Sequence, residues 1–352
     1  MKVLYCYKYA ILGGVCAQLI NRLEVLQGAG LMETEIVFRE DLGIGDALSG
    51  YTVRIEPDGS KVRGLIASKN FDVVVIIDTP EYQEALDDLK NVPIITEIHT
   101  TTESGLEYLA RRNWTTSGYI VPSVYSQTML RERFGVGEDA PVRVVPDSLD
   151  ARFFPRVTVE RPCSRPVFGW VGKLDDHKDW RTFMALAARM SATGVDAEYW
   201  LFGGETAPVR RQAEFIDECE RLNLYTRCRW FPRVAYRAMH RVYAAVRDSG
   251  GAVIVTSINE SFGMSVLEAL VCGCPVVASR VGALPEIAPG RSYVGFYDLG
   301  NVEEAAGRAI EFLKPDVATA LRKNLDGDRQ WLLNRYSSEA VGPRYLDALR
   351  GL

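Results

Sequence analysis

The chain has 352 residues, enough for two medium-sized domains rather than a single core. Its 47% hydrophobic and 25% charged content matches an ordinary globular cytosolic protein. A net charge of −5 without any dense Lys/Arg block argues against nucleic acid as a partner, and no apolar run reaches the roughly 18 residues of a membrane span. The seven cysteines (Cys6, Cys16, Cys163, Cys219, Cys228, Cys272, Cys274) follow no regular framework, so reduced, mostly buried thiols are expected.

The chain opens on a strand, residues 3–7, without the layout of a signal peptide. A cytoplasmic protein with at most peripheral membrane contact is therefore expected. Gly13-Gly14 follows, then an apolar-periodic helix over 15–27. A glycine pair at this place lets backbone approach a phosphate, with a helix N-terminus behind it. Residues 35–39 read as a second strand and 71–77 as a buried parallel strand ending at Asp78-Thr79-Pro80. A helix over 81–89 leads to a strand over 93–97, just before His99, one of three histidines. On position alone His99 reads as structural. Strands at 119–121 and 142–145 complete an α/β domain with a parallel sheet, and Ser123 is placed to cap the helix that follows it.

Residues 147–166 are loop-like and carry Pro155, Pro162 and Pro166; a new strand starts at 167–172. After it comes Gly172-Lys173-Leu174-Asp175-Asp176-His177-Lys178. Two cations five residues apart at a strand's C-terminal end suit a diphosphate, with His177 as an ordinary loop residue. Strands follow at 198–202, 228–231, 252–255 and 275–278. Between the last two lies Asn259-Glu260-Ser261-Phe262-Gly263-Met264-Ser265-Val266-Leu267-Glu268, two carboxylates with seven residues between them. Gly263 makes the turn and 265–272 starts a helix. The N–H groups of Phe262, Gly263 and Met264 then lie between the carboxylates at a helix N-terminus, which suits a hydroxyl-rich ligand carrying a phosphate. Strand, loop, helix, strand and Gly-rich loop form one βαβ unit, whose loops open where such folds bind ligands.

The paired glutamates, followed by Cys272-Gly273-Cys274-Pro275-Val276-Val277-Ala278-Ser279-Arg280-Val281-Gly282-Ala283-Leu284-Pro285-Glu286, resemble the C-terminal half of retaining GT-B glycosyltransferases of glycosyltransferase family 4, the group 1 glycosyltransferases. Ala283 stands where a second Gly is usual. The resemblance covers essentially the whole chain, strongest over 167–286 and weakest over 39–71. It implies two doubly wound, Rossmann-like parallel-sheet domains facing a cleft, with a C-terminal helix crossing back to the N-terminal domain. The acceptor-side domain would be 1–150 with 337–352, and the donor domain 163–336. Val144-Val145-Pro146-Asp147-Ser148-Leu149-Asp150 resembles the family's hinge entry, with Asp147-Ser148 replacing Asn-Gly. That replacement implies a less demanding φ there.

The resemblance also implies roles. The co-substrate would be a nucleotide-diphosphate sugar, with no cofactor and no metal. Lys173, standing where Arg is usual, and Lys178 would hold the diphosphate with Gly13 and Gly14, although Lys lacks the Arg fork. Glu260 would take donor-sugar hydroxyls with Phe262, Gly263 and Met264, and Glu268 the ribose. Leu201-Phe202-Gly203-Gly204-Glu205 matches a Gly-containing family loop. Arg229-Trp230-Phe231-Pro232-Arg233-Val234 resembles the base-holding segment, so Trp230, Phe231 and Val234 are base candidates, with Tyr236 beside Val234 on the base's face. His99, followed by Thr100 where an acid is usual, would bond a sugar hydroxyl and sense leaving-group charge. The catalytic set is then His99, Glu260 and Lys178, and the acceptor a saccharide or small molecule. Two rivals share the fold: a non-hydrolysing nucleotide-sugar epimerase, and a non-catalytic nucleotide-sugar-binding homologue favoured by the departures at Lys173 and Asp147-Ser148.

Overall fold

A computed structural model describes residues 1–111, 114–160 and 164–352. It contains two compact units: Met1–Asp150 with Arg335–Leu352, and Ala151–Asn334. The expected domain start at Cys163, with Pro162 before it, lies outside the described residues.

The first unit is built on seven parallel strands: β1 (Lys2–Ala10), β2 (Glu33–Asp41), β3 (Thr52–Ile55), β4 (Val73–Ile77), β5 (Ile94–Glu97), β6 (Gly118–Val121) and β7 (Val142–Val144). Their order is β3-β2-β1-β4-β5-β6-β7. Runs such as Val73-Val74-Val75-Ile76-Ile77 are buried throughout, because helices cover both faces of a parallel sheet. β3 escapes a reading by apolar runs: it is a four-residue edge strand with Thr52, Arg54 and Ile55 exposed. Helices Gly59–Ser68 and Glu103–Arg111 also go beyond the sequence expectation. Ser123 does cap helix Val124–Phe134, accepting from Ser126 N.

The second unit has six parallel strands: β8 (Val167–Val171), β9 (Glu198–Phe202), β10 (Cys228–Phe231), β11 (Ala252–Val255), β12 (Val276–Ser279) and β13 (Val294–Tyr297), in the order β10-β9-β8-β11-β12-β13. β13, short and interrupted by Gly295, was not anticipated. The strand order reverses between β8 and β11. At such a switch point the loops leave in opposite directions, opening a ligand crevice. Lys173 and Lys178 follow β8 and Glu260 follows β11, so the candidate residues flank that point.

Leaving the first unit, Leu149 N donates to Tyr336 O at 3.0 Å, and the returning Ser338 N donates to Leu149 O at 2.9 Å. Helix Ser338–Arg350 then packs on helix Gly14–Gly28, with Gly342 against Leu26. The C-terminal helix thus belongs to the first unit. Neither Asp147 nor Ser148 adopts a positive φ, as the missing glycine implies. Cys6, Cys16, Cys219, Cys228, Cys272 and Cys274 form no disulfide among the described residues, while Cys163 lies outside them. Among the described residues no helix is long and apolar enough to cross a membrane.

Candidate functional site

Four loops at the C-terminal edge of the second sheet are locked to one another by close backbone approaches. Gly203, at φ +107°, brings its Cα so near the loop after β8 that a Cβ would sit 2.4 Å from Gly172 O. Gly282, at φ +52°, does the same to the loop after β11, where a Cβ would fall 2.2 Å from Glu260 O. Ala283 N donates to that same Glu260 carbonyl at 2.9 Å. The loop after β8 folds tightly on itself, as Asp175 Oδ1 accepts from Lys178 N at 2.8 Å. Ile258 N donates to His177 O at 2.9 Å, and Thr256 Oγ1 lies 2.8 Å from the carbonyl of Lys178. His177 is thus a loop scaffold, and burial with the neighbouring Lys178 charge lowers its pKa.

This scaffold delivers Lys178 to Glu260: Nζ lies 2.5 Å from Oε1. Ser257 Oγ donates to the same oxygen at 2.7 Å. Burial alone would raise the Glu260 carboxyl, but the Lys178 charge and these bonds outweigh it and hold the pKa below its ordinary value. Both bonds fall on Oε1. Gly263, at φ +108°, starts helix Met264–Val271, and a Cβ there would lie 2.4 Å from Leu284 Cδ2. Lys173 is exposed near the tip of its loop.

Glu268, inside that helix and buried, accepts from Tyr243 OH at 2.7 Å. Burial pushes its carboxyl up to about 7, against the hydrogen bonds of Tyr243 and Tyr236. The Tyr236 ring packs edge-on to Phe154, centroids 5.5 Å apart, and its hydroxyl serves Glu268. The Trp230 indole donates to Gly203 O at 2.8 Å, and Phe231 stacks on Phe202 at 5.1 Å. Trp230, Phe231 and Val234 are each half-buried.

In the first unit, Gly13 is extended and caps helix Gly14–Gly28. A Cβ on Gly14 would meet nothing within 4 Å, so no contact inside the protein explains a glycine there. His99 lies just past β5 with each ring nitrogen near a carboxylate: Nε2 at 2.8 Å from Glu97 Oε1, Nδ1 at 3.4 Å from Asp147 Oδ1. Its backbone N–H lies 3.1 Å from both oxygens of Asp78. Asp78 holds φ +40°, a strained conformation for a residue with a Cβ, and burial pushes its carboxyl up to about 6. Glu97, Asp78 and Asp147 were missed as a group. Their separation in sequence hides them, although a glutamate closing the apolar run Ile94-Ile95-Thr96 was a visible signal.

Two doubly wound parallel sheets, with a part-buried Lys–Glu pair and a second glutamate at the switch point of the second, define the GT-B class. The model of the family Glycosyl transferases group 1 matches residues 156–326, which lie within the second unit. Among similar proteins, the 2-deoxystreptamine N-acetyl-D-glucosaminyltransferase of Streptomyces fradiae is 29% identical over 57% of this chain and 48% of its own length. The D-inositol 3-phosphate glycosyltransferase of Corynebacterium glutamicum is 29% identical over 47% of this chain and 39% of its own. The match spans about half or less of each relative. Among solved structures, Anabaena HepE in complex with UDP and glucose superposes with a TM-score of 0.82 at 17% identity over 100% of both chains. Sucrose-phosphate synthase from Thermosynechococcus elongatus gives 0.79 at 16%, over 100% of this chain and 99% of that one. Both likenesses concern the fold.

Proposed function

We propose that the protein is a retaining glycosyltransferase that moves a sugar from a nucleotide-diphosphate sugar to an acceptor hydroxyl without a metal ion. The observation that carries this reading is the contact between half-buried Lys178 and buried Glu260, held at the switch point by backbone from three loops. A lysine paired to a carboxylate is positioned and charged before the donor arrives. It can then stabilise the diphosphate as the bond to the anomeric carbon breaks. Glu260 takes sugar hydroxyls through Oε2, Phe262, Gly263 and Met264 offer backbone beside it, and Glu268 takes the ribose. Lys173 adds to the diphosphate's surroundings. A donor phosphate oxygen receives the acceptor proton, so no general base is required.

The similar proteins are named for 2-deoxystreptamine and D-inositol 3-phosphate, which makes a small cyclitol or saccharide the first acceptor class to try. The test pairs thermal-shift screening of nucleotide sugars with turnover on such acceptors, with and without EDTA. Retained anomeric configuration and EDTA-insensitive turnover are expected. Sugar isomerised without an acceptor would make it an epimerase, tight binding without turnover a binding homologue, and an absolute need for Mn²⁺ or Mg²⁺ would overturn the metal-free reading.

A further inference from the structure

Helix Gly14–Gly28 sends Gln18 and Arg22 into the interior of the first unit, both fully buried. Arg22 Nη1 lies 3.0 and 3.2 Å from the two oxygens of Glu97, and its Cζ sits 3.6 Å from the Tyr345 ring centroid. Tyr345, from the C-terminal helix, donates to Glu97 Oε2 at 2.8 Å. Glu97 Oε1 faces His99 Nε2 at 2.8 Å. On the opposite side of the imidazole, Asp147 Oδ1 lies 3.4 Å from Nδ1 and meets no other hydrogen-bond donor among the described residues.

A neutral imidazole has one N–H and one lone pair. With a carboxylate oxygen beside each nitrogen, either neutral tautomer aims a lone pair at a buried negative charge. The count of charges agrees. Even with Asp78 left aside, Glu97 and Asp147 bring two negatives against the one positive of Arg22, so a second cation is needed to keep the cluster from burying a net charge, which is costly. One contact points the other way: Gln18 Nε2 is 3.4 Å from His99 Nε2. It is longer than the Glu97 contact, and Gln18 Oε1 is already committed to Arg22 at 2.5 Å.

We propose that His99 is held as a permanently charged imidazolium, with Glu97 and Asp147 as its positioning residues, so that it offers fixed positive charge and not an exchangeable proton. The groups facing it are Glu97 on its own strand, Asp147 beyond β7, Asp78 beyond β4, and Gln18 from the helix, with Arg22 and Tyr345 behind Glu97. Burial works against the charge, yet the two carboxylates outweigh it and push the imidazole up to about 10. The inference rests on the glycosyltransferase reading and deepens the role that the family resemblance implies for His99, sensing leaving-group charge, but its test needs no substrate.

The chain has three histidines, so histidine ring ¹⁵N spectra of the full chain can be assigned with His99→Gln. Both His99 nitrogens should keep the protonated signature from pH 6 to 9. Glu97→Gln should bring a His99 midpoint into that range; should that variant fail to fold, Asp147→Asn should do the same. A wild-type midpoint near the ~6.5 of free histidine, or one bare ring nitrogen at pH 7, overturns the proposal. So does a folded variant whose His99 midpoint stays above the range. Failure to find glycosyl transfer would remove the function and leave these spectra unaffected.

Discussion

The family resemblance implies separate duties for Lys178 and Glu260, one on the diphosphate and one on the sugar, yet the two side chains share a bond. Removing Lys178 therefore does two things. Lys178→Ala should lower kcat/KM by a factor on the order of 10²–10³, the scale of one lost charge-stabilising donor. It should also lower Tm, because Glu260 is left buried without its cation. Adding Glu260→Gln should recover Tm and not turnover; recovery of both would remove Lys178 from the chemistry. Glu268 makes a pH prediction. Its folded carboxyl is raised from 4.5 to about 7, so its stabilising contribution is full below 4.5 and is lost as pH rises through 7. The ionised form is the one that accepts ribose hydroxyls. Nucleotide affinity should accordingly rise between pH 6 and 8 in the wild type and more weakly in Glu268→Gln. Equal slopes in titration calorimetry would dismiss the ribose assignment.

At the scale of elements, the site is a set of strand-end loops whose mutual distance only glycine permits. Gly282→Ala puts a Cβ against a carbonyl that cannot swing aside, at a positive φ. It should cost about 1–3 kcal/mol in denaturant unfolding and shift Glu260 off its partner. Gly14→Ala is the opposite case. Its Cβ enters open space at a helix start, so stability in denaturant unfolding should stay within about 0.5 kcal/mol or improve. A clear loss of stability in Gly14→Ala would show that the helix start needs its glycine. Strands and helices with continuous apolar runs were legible in the sequence. β3 and β13 were not, since an edge strand and a strand with a central glycine lack the run that marks burial on both faces.

Across the molecule, the first unit is closed by its own C-terminal segment. Tyr345 joins Arg22 and Glu97 in one buried cluster although 248 residues separate Tyr345 from Glu97. Tyr345→Phe should cost about 1–3 kcal/mol, because a buried carboxylate oxygen loses its donor. Urea midpoints of the full chain at several pH values give the check. Glu97 is depressed to about 2, so its contribution is full above 4.5 and lost as pH falls toward 2; His99 is raised to about 10, so its contribution is full below 6.5 and lost as pH rises through 10. The cluster should stabilise most between pH 4.5 and 6.5. A Tyr345→Phe midpoint equal to wild type in that window would mean the cluster does not tie the C-terminal helix down.

The sequence by itself determined the two-sheet α/β plan, the break near residue 150, and the loop carrying Glu260 and Glu268. Each of these is written in local order: apolar runs, turn glycines and fixed intervals along one stretch of chain. Only the tertiary structure decided what those residues touch. It brought the Tyr236 ring against Phe154, joined Trp230 to the carbonyl of Gly203 and Phe231 to Phe202, and placed His99 between Glu97 and Asp147. The reason is that a buried side chain's charge and hydrogen bonds are set by neighbours that folding brings from distant strands. Spacing along one strand reports the side chain's direction but not its partners.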